Sequence, residues 1–493
     1  MTGIRIVAAG LALAASLVHP PAHAQGDAGN GSSPEQWAQY VAQMRAADAI
    51  ENPEARCRAY PDLPGNHWRP GTAAGLCALL RAPAWSLDEI DRLLGDKDGA
   101  AELERRFAGL LKAHYSDKAQ REQIFVEFNL FDASDRAAQV AQRWLKAAPD
   151  SPFAQTAMAA HYERLGWRIR GNDSAASTPR NAMDRMSALF DKAVPLYERA
   201  LETQPRLSVA CRNLHRIGRQ SSHVLEARAD AACRKVDPDS YYLSSEWIRA
   251  AEPRWGGSEE QMRQAVAYAA ARTDRNPTLG ALLGEAAGYG PLTEGGDDPE
   301  ALASAVRMGP SLMLGYEAGR RYERHDQWQQ ALSFLSQNSR FAPKHEETRY
   351  ARARVLFYDM KDVEWARRDI LPLLESNPDD SRYAFLFAQI TRRRQGERAA
   401  RPYYLRAMGG DGEMREPAME KYCASFADSP DEAAEADTCT RMLVAEFPTS
   451  SEAWAQRHNV LHQAKSPEAP YAMEQFKKYM GIEDARSATP SGK

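Results

Sequence analysis

Prolines punctuate this chain at a nearly fixed interval. Those that close an amphipathic segment stand at positions 149, 205, 238, 277, 310, 343, 378 and 448, giving steps of 56, 33, 39, 33, 33, 35 and 70, the last twice 35. Proline lacks the N–H that a helix interior needs, and its ring clashes with the turn before it, so each of these residues marks a helix end. The stretch from Met183 to Pro205 shows what is being ended. Met186, Leu189, Phe190, Ala193, Val194, Tyr197, Ala200 and Leu201 recur at three- and four-residue steps, which places them on one helical face. Small Ala193 and Ala200 alternate there with large Tyr197, so a second helix can approach closely. A recurrence of about 34 residues is that of stacked helix–turn–helix units. From Ser86 onward no run alternates β-branched and polar residues as a strand does. The expected architecture is therefore all-α, antiparallel helix pairs from about Ser86 to Met480 stacked into a solenoid.

The register of small, large and closing residues resembles the tetratricopeptide repeat. The segment ending at Pro343 shows it best, with Ala318, Gly319, Tyr322, Ala331 and Leu335 in the repeat's slots. The next segments keep Ala366, Ile370 and Pro378, then Ala388, Ala400, Tyr404 and Ala407. Earlier, Ala137, Ala141, Trp144 and Pro149 fit, as do Ala193, Tyr197, Ala200 and Pro205. The resemblance covers roughly residues 118–480 and implies a TPR-like αα superhelix; the repeat's first-helix Trp is mostly missing, so the copies are divergent. Two first-to-second-helix turns read as enlarged, one after Tyr162 and one after Ile248. They carry Gly166-Trp167 with Arg170-Gly171, and Pro253-Arg254-Trp255-Gly256-Gly257-Ser258. Those two segments resemble an uncharacterised bacterial family, a domain of unknown function, placed here at about residues 86–276. That likeness brings no activity with it.

The chain opens with Arg5, an apolar run from Ile6 to Val18, and Ala22-His23-Ala24 before Gln25, the pattern of a secretory signal peptide cut after Ala24. The run falls far short of the ~20 apolar residues that span a bilayer, and no later stretch has that length, so no membrane insertion is expected. The remaining organisation reads as a flexible leader at 25–33, an N-terminal helical cap with a Pro/Gly loop at 34–85, the divergent repeats at 86–276, TPR-like repeats at 277–480 and a disordered tail at 481–493. The net charge of −4, or −5 without Arg5, gives no basic face for nucleic acid. The six cysteines fall as local couples, Cys57 with Cys77, Cys211 with Cys233 and Cys423 with Cys439. Export favours disulfides within the couples over free thiols. No C-x-x-C and no His in ligand spacing points to zinc, so no metal and no cofactor is expected.

Neither H-E-x-x-H, G-x-S-x-G nor a phosphate-cradling glycine loop is present, so no catalytic residue is assigned. Two surfaces are candidates for binding. The first is the edge carrying Trp167 and Trp255 with Arg168, Arg170 and Arg254, since Trp and Arg are enriched at binding hot spots. The competing reading has each Trp plugging its own hairpin, with Gly256 and Gly257 making a tight turn and Ser258 capping the next helix. The second is the concave face of the first helices, which in the repeat's register presents Tyr316, Arg320, Arg324, Tyr358, Arg382, Phe385 and Arg392. Aromatic and guanidinium groups on a groove suit an extended peptide or a carboxylate, although surface arginines also serve solubility. The leading expectation is an exported, non-enzymatic scaffold of the bacterial envelope that binds a protein or peptide. The alternative is an enzyme or enzyme-associated domain acting near the Trp167 and Trp255 loops.

Overall fold

The structure is a computed structural model that describes residues 33–482 except 172, 175, 411 and 428. The expected signal peptide, most of the expected leader and most of the expected tail thus lie outside the described residues. Among the described residues every regular element is helical, with 25 α-helices and three short 3-10 turns. The chain is a TPR-like αα superhelix. Successive helices pair as Pro152–Arg170 with Arg180–Thr203, Ser208–Ser221 with His223–Val236, Leu312–Arg324 with Trp328–Phe341, Glu346–Tyr358 with Val363–Ser376, and Ser381–Gln395 with Glu397–Gly409. The small-large register explains the fit, because Ala193, Tyr197 and Ala200 are all fully buried. Serine and aspartate begin many of these helices. Ser151, Ser240, Ser311 and Asp380 each accept a backbone N–H of the first turn, which supplies a partner that the helix itself cannot.

The structure corrects the expected pairing in three places. Gly166 does not break a helix; the helix runs on to Arg170 and ends at Gly171, whose φ is +76°. Gly166 is needed for close approach, since a Cβ there would lie 3.0 Å from the Phe190 ring. Gly218, where the sequence suggests the turn between the helices of Cys211 and Cys233, is likewise inside a helix. An added Cβ would meet the backbone nitrogen of Glu226 at 2.4 Å, so this glycine lets two helices touch just before the Ser222 corner. The interval from Pro277 to Pro310 holds three elements, Pro277–Leu282, Glu285–Thr293 and Pro299–Met308, where the proline spacing had suggested one pair.

All three cysteine couples are bridged, with Cα separations of 5.4, 5.7 and 5.3 Å. Antiparallel neighbours bring paired positions level, which is why the register places Cys211 with Cys233 and Cys423 with Cys439 within disulfide reach, while Cys57–Cys77 pins two short helices across the Pro/Gly loop.

The N-terminal helices Pro34–Asp48 and Pro53–Ala59 fold onto the middle of the array. Tyr40, Met44, Ala47, Tyr60 and Leu63 share a core with Leu302, Leu335, Leu356 and Ile370. Polar contacts fix this arm. Gln337 donates to Tyr40 Oη at 3.1 Å, Arg340 to the Cys57 carbonyl at 2.8 Å, and Trp365 to Asp48 at 2.8 Å. Further on, Trp68 donates to the Val306 carbonyl, and Thr72 to that of Pro277. Most of these partners belong to second helices, so the arm stiffens that side while the open faces of the first helices stay uncovered.

The start of the array is tied by a buried carboxylate. Glu127 accepts the backbone N–H groups of Ala84 at 2.7 Å and Trp85 at 3.1 Å. Burial pushes its carboxyl up to about 7, against an ordinary value of 4.5, despite those two donors. Folding then favours the protonated form, so the stability this group contributes is complete below pH 4.5 and is lost as the pH rises through 7. Measured against Glu127→Gln, the wild type should lose stability across that window with a slope of at most about 1.4 kcal/mol per pH unit. Urea denaturation at a series of pH values checks this, and two parallel curves would refute it.

Candidate functional site

Tyr350, Arg354 and Tyr358 stand four residues apart on helix Glu346–Tyr358, so their side chains share its open face. Tyr316 and Arg320 do the same on Leu312–Arg324, and Arg382 and Phe385, three apart, share a face of Ser381–Gln395. Stacking these helices assembles the seven residues around one cleft of about 480 Å³. Five of the residues expected on the concave face are therefore brought together, namely Tyr316, Arg320, Tyr358, Arg382 and Phe385. A second cleft of about 320 Å³ adjoins it, sharing Tyr358 and adding Lys361, Arg392, Arg393 and Lys421. The sixth residue, Arg392, belongs there.

Arg324 does not. The loop before Pro299–Met308 passes over the end of its helix and supplies Asp297, which pairs with Arg324 at 2.8 Å. That carboxylate turns Arg324 away from the groove.

Carboxylates hold the groove arginines in position. Arg382 lies 3.1 Å from Glu347 and 2.8 Å from Asp380, and its guanidinium sits over the Tyr350 ring at 5.3 Å. Hydrogen bonds to Asp380, opposed by burial and reinforced by Glu347, hold its charge well above the ordinary arginine range. Arg320 pairs with Glu323, and Arg354 reaches the same carboxylate at 3.4 Å. Tyr358 remains 41% exposed at the junction of the two clefts, so its ring is open to a ligand. Seven basic side chains line the two clefts against three acidic ones, in a chain whose net charge is −4. Tyr350, Arg354, Lys361, Arg393 and Lys421 were not singled out from the sequence. The four-residue spacing of the first two with Tyr358 was the available signal.

The tryptophan edge is resolved differently. Trp167 lies in the last turns of its helix and packs on Phe190 with ring centroids 5.7 Å apart. Arg168 is exposed, and Arg170 donates to the Gly171 carbonyl at 3.1 Å. Trp255 sits in the turn Pro253–Trp255, half-buried under the Arg219 guanidinium at 5.2 Å. Arg254 pairs with Glu252 in the same turn. Gly256 has φ +89°, and a Cβ on Gly257 would meet the Ala251 carbonyl oxygen at 2.2 Å. Ser258 accepts the Gln261 N–H and so caps the next helix. This geometry matches the hairpin-plug reading of Trp255.

A serine, a histidine and an aspartate do meet in the interior. Ser208 donates to Asp237 at 2.8 Å, and His114 Nε2 contacts the same carboxylate at 2.6 Å. His114 Nδ1 accepts the Glu122 N–H at 3.0 Å, so neither ring nitrogen is free to take the serine proton. The three are fully buried and tie the ends of separate helices together. Among the described residues no cluster of three or more His, Cys, Asp or Glu is arranged to hold a metal ion.

Comparison with known proteins adds one family. Residues 82–223 match DUF4034, a domain of unknown function. The match contains Trp167 but ends before Trp255, a shorter span than the 86–276 expected from the two tryptophan motifs. No curated protein matches the sequence. Among solved structures, the chain is similar to the anaphase-promoting-complex hetero-tetramer Cut9–Hcn1 at 10% identity and a TM-score of 0.34, covering 91% of this chain and 92% of that one. It is similar to yeast Tom70 at 12% identity and a TM-score of 0.29, covering 76% and 92%. The human IFIT1 dimer with PPP-AAAA follows at 12% identity and a TM-score of 0.27, covering 78% and 95%. The fold assignment rests on the helix pairs themselves.

Proposed function

We propose that this protein is an exported helical-repeat scaffold of the bacterial envelope that binds an extended, acidic segment of a protein partner. The observation that carries the reading is the paired cleft itself. Three successive first helices place Tyr316, Arg320, Tyr358, Arg382 and Phe385 around one opening, with Arg392 next to it. Arginines already fixed by Glu323, Glu347 and Asp380 lose little freedom on binding, and aromatic faces beside them offer apolar area. The excess of basic lining residues favours an acidic ligand. The arm on the second-helix side leaves this face open and holds its helices in register. Three disulfides suit an oxidising compartment, and among the described residues no helix is long and apolar enough to cross a membrane.

Catalysis near Trp167 and Trp255 gains no support from this geometry. Glu246, which reaches Trp255 through Arg219, is buried, yet the guanidinium groups of Arg212, Arg219 and Arg216 outweigh burial and keep it ionised. A carboxylate so held is poorly suited to moving protons at neutral pH.

Capture of a partner from envelope extract tests the groove when wild type is compared with variants. Tyr358→Ala removes an exposed ring and should weaken capture roughly 30-fold, the effect of losing about 2 kcal/mol at a hot spot. The double variant Arg320→Glu, Arg382→Glu should reduce it further, with circular dichroism unchanged. Capture equal to wild type in both variants would sink the assignment.

A further inference from the structure

The first helices of the units preceding Pro277 bury positive charge that their carboxylates do not match. Arg212, Arg216 and Arg219 lie within two turns of helix Ser208–Ser221, and Arg164 faces them from Pro152–Arg170. Two carboxylates serve the three on Ser208–Ser221, and none pairs with Arg164. Glu163, fully buried, takes Arg216 Nε at 2.5 Å, and Glu246, 4% exposed, takes Arg212 at 3.1 Å and Arg219 at 2.7 Å. Tyr197 and Asn213 complete the chain, Asn213 donating to Tyr197 and Tyr197 to Glu163. Arg164 is spent on carbonyl oxygens, those of Phe128 at 3.1 Å and Asn129 at 2.9 Å. Counted by direct contacts, the four guanidinium groups thus meet two carboxylates, a surplus of two positive charges. Burial first, and the neighbouring Arg216 charge next, lower the proton affinity of Arg164, whereas at Arg216 itself burial is outweighed by Glu163 and the affinity is raised.

Solubility does not account for such residues, because Arg219 is 5% exposed and Arg212 and Arg216 only 18% and 19%. A purely structural network would match its charges, since an unmatched buried charge is strongly destabilising. The rims of Arg212 and Arg216 form the accessible stripe of their helix, one turn apart. Each commits a single nitrogen to a carboxylate and has further N–H donors with no acceptor among the described residues. The rings of Tyr242 under Arg212, at 5.3 Å, and Trp255 under Arg219, at 5.2 Å, fix the guanidinium planes. We propose that Arg212 and Arg216, supported by Arg219 and Arg164, form a binding site for a phosphate group. A dianion balances the two surplus charges, and its tetrahedral oxygens can accept from guanidinium groups on successive turns. The role of Trp255 is then to hold Arg219, not to touch a partner. This site is separate from the groove at Tyr358 and does not rest on that reading.

Calorimetric titration with inorganic phosphate, at constant ionic strength, tests the site against acetate and chloride. Saturable phosphate binding is expected, at least about tenfold tighter than acetate, and Arg216→Gln should weaken it by a further factor of about ten or more. Arg441→Gln, a surface change in the C-terminal units, should leave it unaltered. If circular dichroism shows that Arg216→Gln does not fold, Arg212→Gln takes its place under the same criterion. Absence of saturable phosphate binding, acetate binding as tightly, or an arginine variant that folds and binds like wild type would each overturn the proposal.

Discussion

Arg352→Ala should lower the stability of the protein by about 3–5 kcal/mol, the range for removing one partner of a buried ion pair. Arg352 is 4% exposed and joins three parts of the chain. Its Nε and Nη2 each lie 2.6 Å from a carboxylate oxygen of Asp369, and Nη1 donates to Tyr60 Oη at 2.9 Å and lies 3.1 Å from Asp48. Tyr60 and Trp365 each donate to Asp48 as well, at 2.7 and 2.8 Å. Removing the guanidinium leaves two buried carboxylates facing each other with part of their hydrogen bonding gone. Alanine also opens a void where a long side chain had packed. The loss falls on the seam between the N-terminal arm and the repeats, so protease cleavage should begin within residues 49–71. Urea denaturation gives the magnitude, and a loss under about 1 kcal/mol would show that the network is not what anchors the arm. Replacing the set together, as Arg352→Met, Asp48→Asn and Asp369→Leu, should recover much of the loss, because the desolvated charges disappear with their partner.

Reduction of the disulfides is the second large effect. The bridges close separations of 20, 22 and 16 residues. On the chain-entropy account each stabilises by about 3 kcal/mol, mainly by restricting the unfolded chain. The bridges lie in separate parts of the array, one in the N-terminal arm, one under the DUF4034 match and its neighbour, and one near the C-terminus. Their contributions should therefore add closely, as they do for distant sites. Thermal melts with and without reductant, with all six thiols titrated, should differ by about 10 °C. An unchanged melting temperature in the fully reduced protein would contradict this account, and mass spectrometry of unreduced digests checks the pairing itself.

Much of the fold was legible because it is local. A helix pair is specified within some 34 residues by apolar spacing and a closing proline, so Ala193, Tyr197, Ala200 and Pro205 identify their unit without reference to the rest. The disulfide couples were legible for the same reason, both members lying in neighbouring helices. The groove was partly legible, since register alone placed Tyr316, Arg320, Tyr358, Arg382 and Phe385 on one face. Arg324 went astray because Asp297, 27 positions earlier, reaches it only in the folded chain.

What tertiary structure alone decided is everything carried by contacts distant in sequence. Gly166 and Gly218 look like turn residues, and only the Phe190 ring and the Glu226 backbone show that they permit close packing. Nothing near Pro34 or Tyr60 indicates that the arm would settle on Arg352 and Trp365 some 300 positions later, because its apolar face fits any open helical surface. The arginine cluster was invisible for a related reason. Arg212 and Arg216 are unremarkable on their own helix, and their burial and shortage of carboxylates exist only once Glu163 and Glu246 arrive from separate helices. Periodicity fixes each unit because helix formation is short-range; charge balance and surface pairing depend on which units meet.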